Sequence, residues 1–201
     1  MPASQLTDNT RFRRGGRPTN AAMGRTREHL THAEAEALIA AAGKTGRNRL
    51  RDRTLCLMLY RHGLRISEAV QLQWSQIDMA NASMHVKRLK NGQSAGHPLQ
   101  KDTLEALKAL RPGTEVAKYV FTTERGTPLD RINAGRIVRR AGKVAGLPFR
   151  AHPHMLRHAT GYYLANEGHD LRLIQDFLGH RNIQHTVLYT RLAPGRFDGL
   201  W

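Results

Sequence analysis

Two arginines, two histidines and a tyrosine are spaced along this chain in a way that suits chemistry at phosphorus. His154-Met155-Leu156-Arg157-His158 is followed by Leu178-Gly179-His180 and then by Leu188-Tyr189-Thr190, while Arg65 stands upstream in His62-Gly63-Leu64-Arg65-Ile66-Ser67-Glu68. A phosphodiester spreads one negative charge over two non-bridging oxygens, and attack at phosphorus adds more. Two guanidiniums can hold those oxygens in bidentate fashion and favour the transition state. Tyrosine is a poor nucleophile near neutral pH because its unperturbed pKa is about 10. Cationic neighbours lower the cost of the phenolate, and a histidine can accept its proton. A lysine on a hairpin could protonate the departing 5′ oxygen. A phosphotyrosyl bond would conserve the energy of the broken strand, so the chemistry calls for no metal and no nucleotide cofactor. The chain also has no phosphate-cradling GxxxxGK[ST] loop.

Composition points to the same partner. Lys plus Arg number 32 against 16 Asp plus Glu, a formal net charge of +16 over 201 residues. Such an excess implies nucleic acid or an anionic membrane surface. The sequence has no apolar N-terminal stretch and no run near the roughly 20 apolar residues of a membrane span, so the expectation is a cytoplasmic protein acting at the nucleoid, with no membrane partner. Cys56, the single cysteine, lies in the apolar run Leu55-Cys56-Leu57-Met58-Leu59 and reads as a buried thiol.

The elements that must position these residues are mostly helical. Residues 1–28 carry Arg11, Arg13, Arg14, Arg17, Arg25 and Arg27 with few large apolar side chains. They read as a basic, flexible arm, either a solvated tail or a segment that neutralises phosphates. Thr31-His32-Ala33-Glu34 has capping-box spacing and predicts a helix to about Ala42. A second helix is predicted from Asn48 to His62, ended by Gly63, and a short one from Ser67 to Leu72. Met84–Leu89 and Ser94–Leu99 flank Asn91-Gly92, a hairpin signal, and Tyr119–Phe121 reads as a further short strand. Helices follow around Leu104–Leu110, from Asp130 to about Ala145, from Pro153 to near Gly168, from Asp170 to Gly179, and after Asn182. The sum is a mainly α domain with one small antiparallel β-sheet, an α+β fold spanning 29–201.

Taken together, His154-x-x-Arg157-His158, Leu178-Gly179-His180, Tyr189-Thr190 and Gly63-Leu64-Arg65-x-Ser67-Glu68 resemble the signature boxes of the tyrosine site-specific recombinases, the phage integrase family. His152–His158 and Leu173–Asn182 are especially similar to the short invertases that switch fimbrial genes on and off. The resemblance implies the tyrosine recombinase catalytic-domain fold. It implies cleavage and rejoining of DNA through a 3′-phosphotyrosyl intermediate and a Holliday junction, producing inversion or integration. The partners it implies are double-stranded DNA with inverted-repeat sites, a homotetramer on synapsed DNA, and accessory DNA-bending proteins. Position by position, Tyr189 would be the nucleophile, Arg65 and Arg157 the phosphate clamp, His154 the general base and acid, and His180 a further phosphate ligand. Lys90 would be the hairpin acid, with Lys87 its rival, and Glu68 would orient its neighbours. The larger integrases carry a separate N-terminal helical domain; here only the basic arm stands in that place.

Other readings remain at this stage. A catalytically inactive DNA-binding regulator on the same fold, or a type IB-like strand-relaxing topoisomerase, would share these boxes. His154, His158 and His180 could be zinc ligands, but Arg157 would set a cation beside the metal. His158 reads as a packed, hydrogen-bonded core histidine, His152, His169 and His185 as solvated or structural, and Tyr162 and Tyr163 as aromatics facing the core. Phe197, Leu200 and Trp201 read as a hook on the parent domain or an anchor on a neighbouring protomer.

Overall fold

Thr31 caps the first helix as its spacing predicts. Its Oγ1 accepts the Glu34 N–H at 3.2 Å and Glu34 Oε2 accepts the Thr31 N–H at 2.8 Å, which satisfies two otherwise orphaned donors of helix α1 (His32–Ala42). The structure, a computed structural model, describes residues 28–88, 94–111 and 117–191, with Arg191 by its backbone alone. The expectations for the basic arm, Lys90, the Asn91-Gly92 turn, Phe197, Leu200 and Trp201 lie outside the described residues.

Helix α2 (Arg49–Arg61) runs through the centre. Thr54 to Tyr60 are buried without interruption, Cys56 among them, the pattern of a helix covered on all sides. It packs against α1, against α4 (Lys101–Leu110) and against α6 (Pro153–Asn166), while α5 (Arg131–Val144) closes over α1. Asp130 caps α5 by accepting the Ile132 and Asn133 N–H groups, each at 2.8 Å, and Pro153 occupies the first turn of α6. Asp170 caps α7 (Leu171–Leu178), and Asn182 Oδ1 accepts the Gln184 N–H at 2.9 Å ahead of α8 (Gln184–Arg191). Among the described residues no helix is long and apolar enough to cross a membrane.

The sheet has three antiparallel strands in the order β1 (Ile77–Asp78), β2 (Ser83–Val86), β3 (Ala95–Pro98). Met84 pairs with His97 and Val86 with Ala95, so Met84, Val86 and His97 share the buried face. The two-residue β1 is too short to show an alternating pattern and is not evident in the sequence. Tyr119–Phe121 does not form a strand. Tyr119 makes an isolated bridge to Gln73, and Val120 N–H donates to Leu72 O at 2.9 Å, because the partner segment bends away into a 3-10 turn at Trp74–Gln76. Tyr163 is exposed on α6 and does not face the core.

Between the end of α2 and β3 the core holds two histidines, His62 and His97, with ring centres 5.7 Å apart. Among the described residues neither ring nitrogen of His62 has a hydrogen-bond partner, nor does Nδ1 of His97. Burial pulls their pKa values down to about 4 and about 3 from the ordinary 6.5. The unfolded chain therefore binds protons first as pH falls. The stability these neutral rings preserve is complete above about pH 6.5 and is lost toward pH 4, roughly 3 kcal/mol for His62. Thermal unfolding at pH 4.5 is expected to have a clearly lower midpoint than at pH 7.5, and His62→Phe is expected to flatten that dependence.

Candidate functional site

Arg65, His154, Arg157, His180 and Tyr189 line a single cavity of about 1200 Å³, delivered by four separate parts of the fold. Arg65 is the N-cap of the short helix α3 (Ile66–Val70) and its side chain remains 29 % exposed. His154, Arg157 and His158 come from the first two turns of α6, His180 follows α7, and Tyr189 lies on α8. Two glycines allow this convergence. Gly63 ends α2 at φ +54°, where an added Cβ would lie 2.5 Å from Leu178 Cδ2. Gly179 closes α7 at φ +63°, where a Cβ would meet the Arg88 side chain at 2.7 Å.

Arg157 is almost fully buried and fastens the parts together. Its Nη1 donates to Gly63 O and its Nη2 to Leu178 O at 2.7 Å. Burial, with Arg65 and Arg88 nearby, lowers its pKa to about 9, so it remains cationic at neutral pH. His154 stands at the mouth of the cavity, and its pKa is pulled down by partial burial and then by Arg157 and Arg65. Burial with the same two arginines brings His180 to about 3, and its Nδ1 lies 2.9 Å from Thr186 Oγ1. Gln175 fixes the His180 backbone, donating from Nε2 to His180 O at 2.9 Å.

Tyr189 is 1 % exposed. Burial pushes its pKa up to about 12, against the opposing pull of Arg157 and Arg65. Its hydroxyl lies 3.0 Å from Nδ1 of His158, whose own pKa burial lowers to about 4. His158 is thus packed and hydrogen-bonded as its sequence suggests, but its partner is Tyr189 and it lines the cavity.

Lys87 is exposed and lines a different cavity of about 200 Å³ between α3 and the sheet. The basic residue that reaches the site's foundations is its neighbour just past β2, Arg88, which the motifs do not single out. Its side chain is fully buried and Nη1 donates to Glu68 Oε2 at 2.7 Å, while Nη2 donates to Phe177 O. Glu68 also accepts from Arg65, through the backbone N–H and through Nη1, each at 2.8 Å. One carboxylate therefore holds the cavity's Arg65 and ties it to the sheet. Arg65 and Arg88 keep its pKa below the ordinary carboxylate value despite burial. The signal was available: position 88 shares the inward parity of Met84 and Val86, and a charge there must be paired.

The sequence profile of the phage integrase family matches residues 28–196. The type 1 fimbriae regulatory protein FimE of Escherichia coli K12 is 46% identical over 183 residues, covering 87% of this chain and 91% of FimE. FimB of the same strain is 45% identical over 188 residues, covering 90% and 93%. Among solved structures, XerA recombinase superposes with a TM-score of 0.72 at 26% identity over 84% of this chain and 62% of its own. XerH site-specific recombinase bound to a palindromic difH substrate gives 0.72 at 25% identity over 90% and 54%. This chain thus spans less than two-thirds of either of those two chains.

Proposed function

The chain belongs to the phage integrase family and is a tyrosine-type site-specific DNA recombinase, and from that premise we propose that it inverts a DNA segment by transesterification at the cavity described above. The observation that carries the proposal is the shared cavity of Arg65, His154, Arg157, His180 and Tyr189. In this reading Arg65 and Arg157 hold the non-bridging oxygens of the scissile phosphate. Thr186 occupies Nδ1 of His180, which leaves Nε2 as the nitrogen that donates to the same phosphate. Tyr189 Oη bonds to phosphorus, the bond to the 5′ oxygen breaks, and the strand remains attached as a 3′-phosphotyrosine. His154 at the mouth of the cavity exchanges the proton, and Lys90 protonates the leaving 5′ oxygen. A 5′ hydroxyl from the partner duplex then reverses the step, first for one pair of strands and then for the other. Two cuts on each of two duplexes call for four protomers. The likeness to the type 1 fimbriae regulatory proteins FimE and FimB supports a part in gene switching, and accessory DNA-bending proteins belong to the same proposal.

The test is a nicked suicide duplex carrying the inverted repeats, in which cleavage releases a short strand and traps the protein on DNA. Wild type is expected to give a slow-migrating, protease-sensitive band on a denaturing gel. Retention of the duplex with no such band would make the chain a DNA-binding regulator on the same fold. The +16 charge gives a second expectation: affinity should fall with a log-log slope of about 0.9 per phosphate contact, so on the order of 10³-fold between 50 and 200 mM salt. A flat salt response in an equilibrium binding titration would show that the basic surface is not the DNA footprint.

A further inference from the structure

The ring of Tyr189 sits in a receptacle that α6 supplies. His158 meets its hydroxyl at 3.0 Å, with ring centres 5.9 Å apart. Tyr162 presents an edge at 5.1 Å and 81°, and His180 lies nearly parallel at 6.2 Å and 21°. Below the ring is Gly161, where an added Cβ would come within 2.6 Å of the Tyr189 ring carbons. Arg157, His158 and Gly161 fall on one stretch of α6 at helical spacing, so one rigid element carries both the buried guanidinium and the seat of the phenol.

We propose that His158 and Gly161 are positioning residues for the nucleophile, His158 by accepting the Tyr189 hydroxyl at Nδ1 and Gly161 by leaving room for the ring. The inference rests on the recombinase reading of Tyr189. Plain packing does not account for the arrangement. The receptacle fixes the ring plane with apolar and aromatic contacts, and the polar contact with His158 fixes the direction of the hydroxyl. His158 is neutral at working pH and therefore has a lone pair to offer. With the phenol near 12 and the imidazole near 4, outright proton transfer is steeply uphill, so His158 orients the proton and does not remove it.

The experiment compares single-turnover adduct formation on the suicide duplex, with duplex affinity and thermal melts in parallel. His158→Phe, which fills the space without an acceptor, is expected to slow adduct formation about 100-fold, the scale of a misplaced reacting group, with affinity within about threefold of wild type. His158→Asn places an amide oxygen near the site of Nδ1 and is expected to recover to within about tenfold of wild type. Gly161→Ala raises helix propensity but displaces the ring, and is expected to slow adduct formation as His158→Phe does. An unimpaired rate in His158→Phe or in Gly161→Ala would overturn the proposal. So would His158→Asn being as slow as His158→Phe, which would mean that the imidazole itself is required. Should His158→Phe fail to fold, the other two variants decide. A wild-type protein that forms no adduct would refute the recombinase chemistry instead, so the two failures are distinguishable.

Discussion

Tyr189→Phe is expected to abolish the covalent adduct on a suicide duplex while leaving duplex affinity essentially intact. The ring would keep its seat over Gly161, against Tyr162 and His180, because every contact there is made by ring carbons. Only the hydroxyl bond to His158 is lost, a change of about 1 kcal/mol in stability. The proposed phosphate ligands Arg65, Arg157 and His180 come from other elements and would not be disturbed. In the proposed mechanism the effect on chemistry is total, because the removed oxygen is the one that would bond to phosphorus. An adduct persisting in Tyr189→Phe would move the nucleophile elsewhere in the chain.

Glu68→Ala is expected to produce the largest loss of stability of any single change near the site. Arg88 has no solvent-exposed side-chain surface, and Glu68 is its carboxylate partner at 2.7 Å. Removing one member of a buried pair leaves the other charge uncompensated, which costs about 3–5 kcal/mol. Domains of this kind are stable by about 5–15 kcal/mol, so the denaturant midpoint should fall by a large fraction. Arg65 would also lose both of its bonds to the carboxylate, so the surviving folded protein is expected to bind the scissile phosphate less firmly. An unchanged midpoint in urea would mean that Arg88 finds another counter-charge.

Much of this was readable from local chemistry. Thr31 with Glu34, Asp130, Pro153, Asp170 and Gly179 mark helix ends because capping depends on a few adjacent residues, and each stands where its type predicts. The convergence of Arg65, His154, Arg157, His180 and Tyr189 was reached through their pattern, since nothing local places residue 65 beside residue 157. What stayed hidden was tertiary. The Arg88–Glu68 pair joins the segment just past β2 to helix α3, 20 residues upstream, and nothing local pairs residue 88 with residue 68. Tyr163 looked like a core aromatic because type alone does not say which side of a helix faces solvent. His158 could be recognised as hydrogen-bonded, but its partner on α8 could not be known without the packing of α6 against α8.

The bonds from Arg157 to Gly63 and to Leu178 join positions separated from it by 94 and by 21 residues. The same guanidinium that would grip a phosphate is therefore out of place until both distant carbonyls have arrived. A chain that is only partly folded, or one truncated before Leu178, lacks the geometry to break a strand. In the proposed mechanism, competence to cut DNA thus depends on two long-range closures of the domain and not on any single segment.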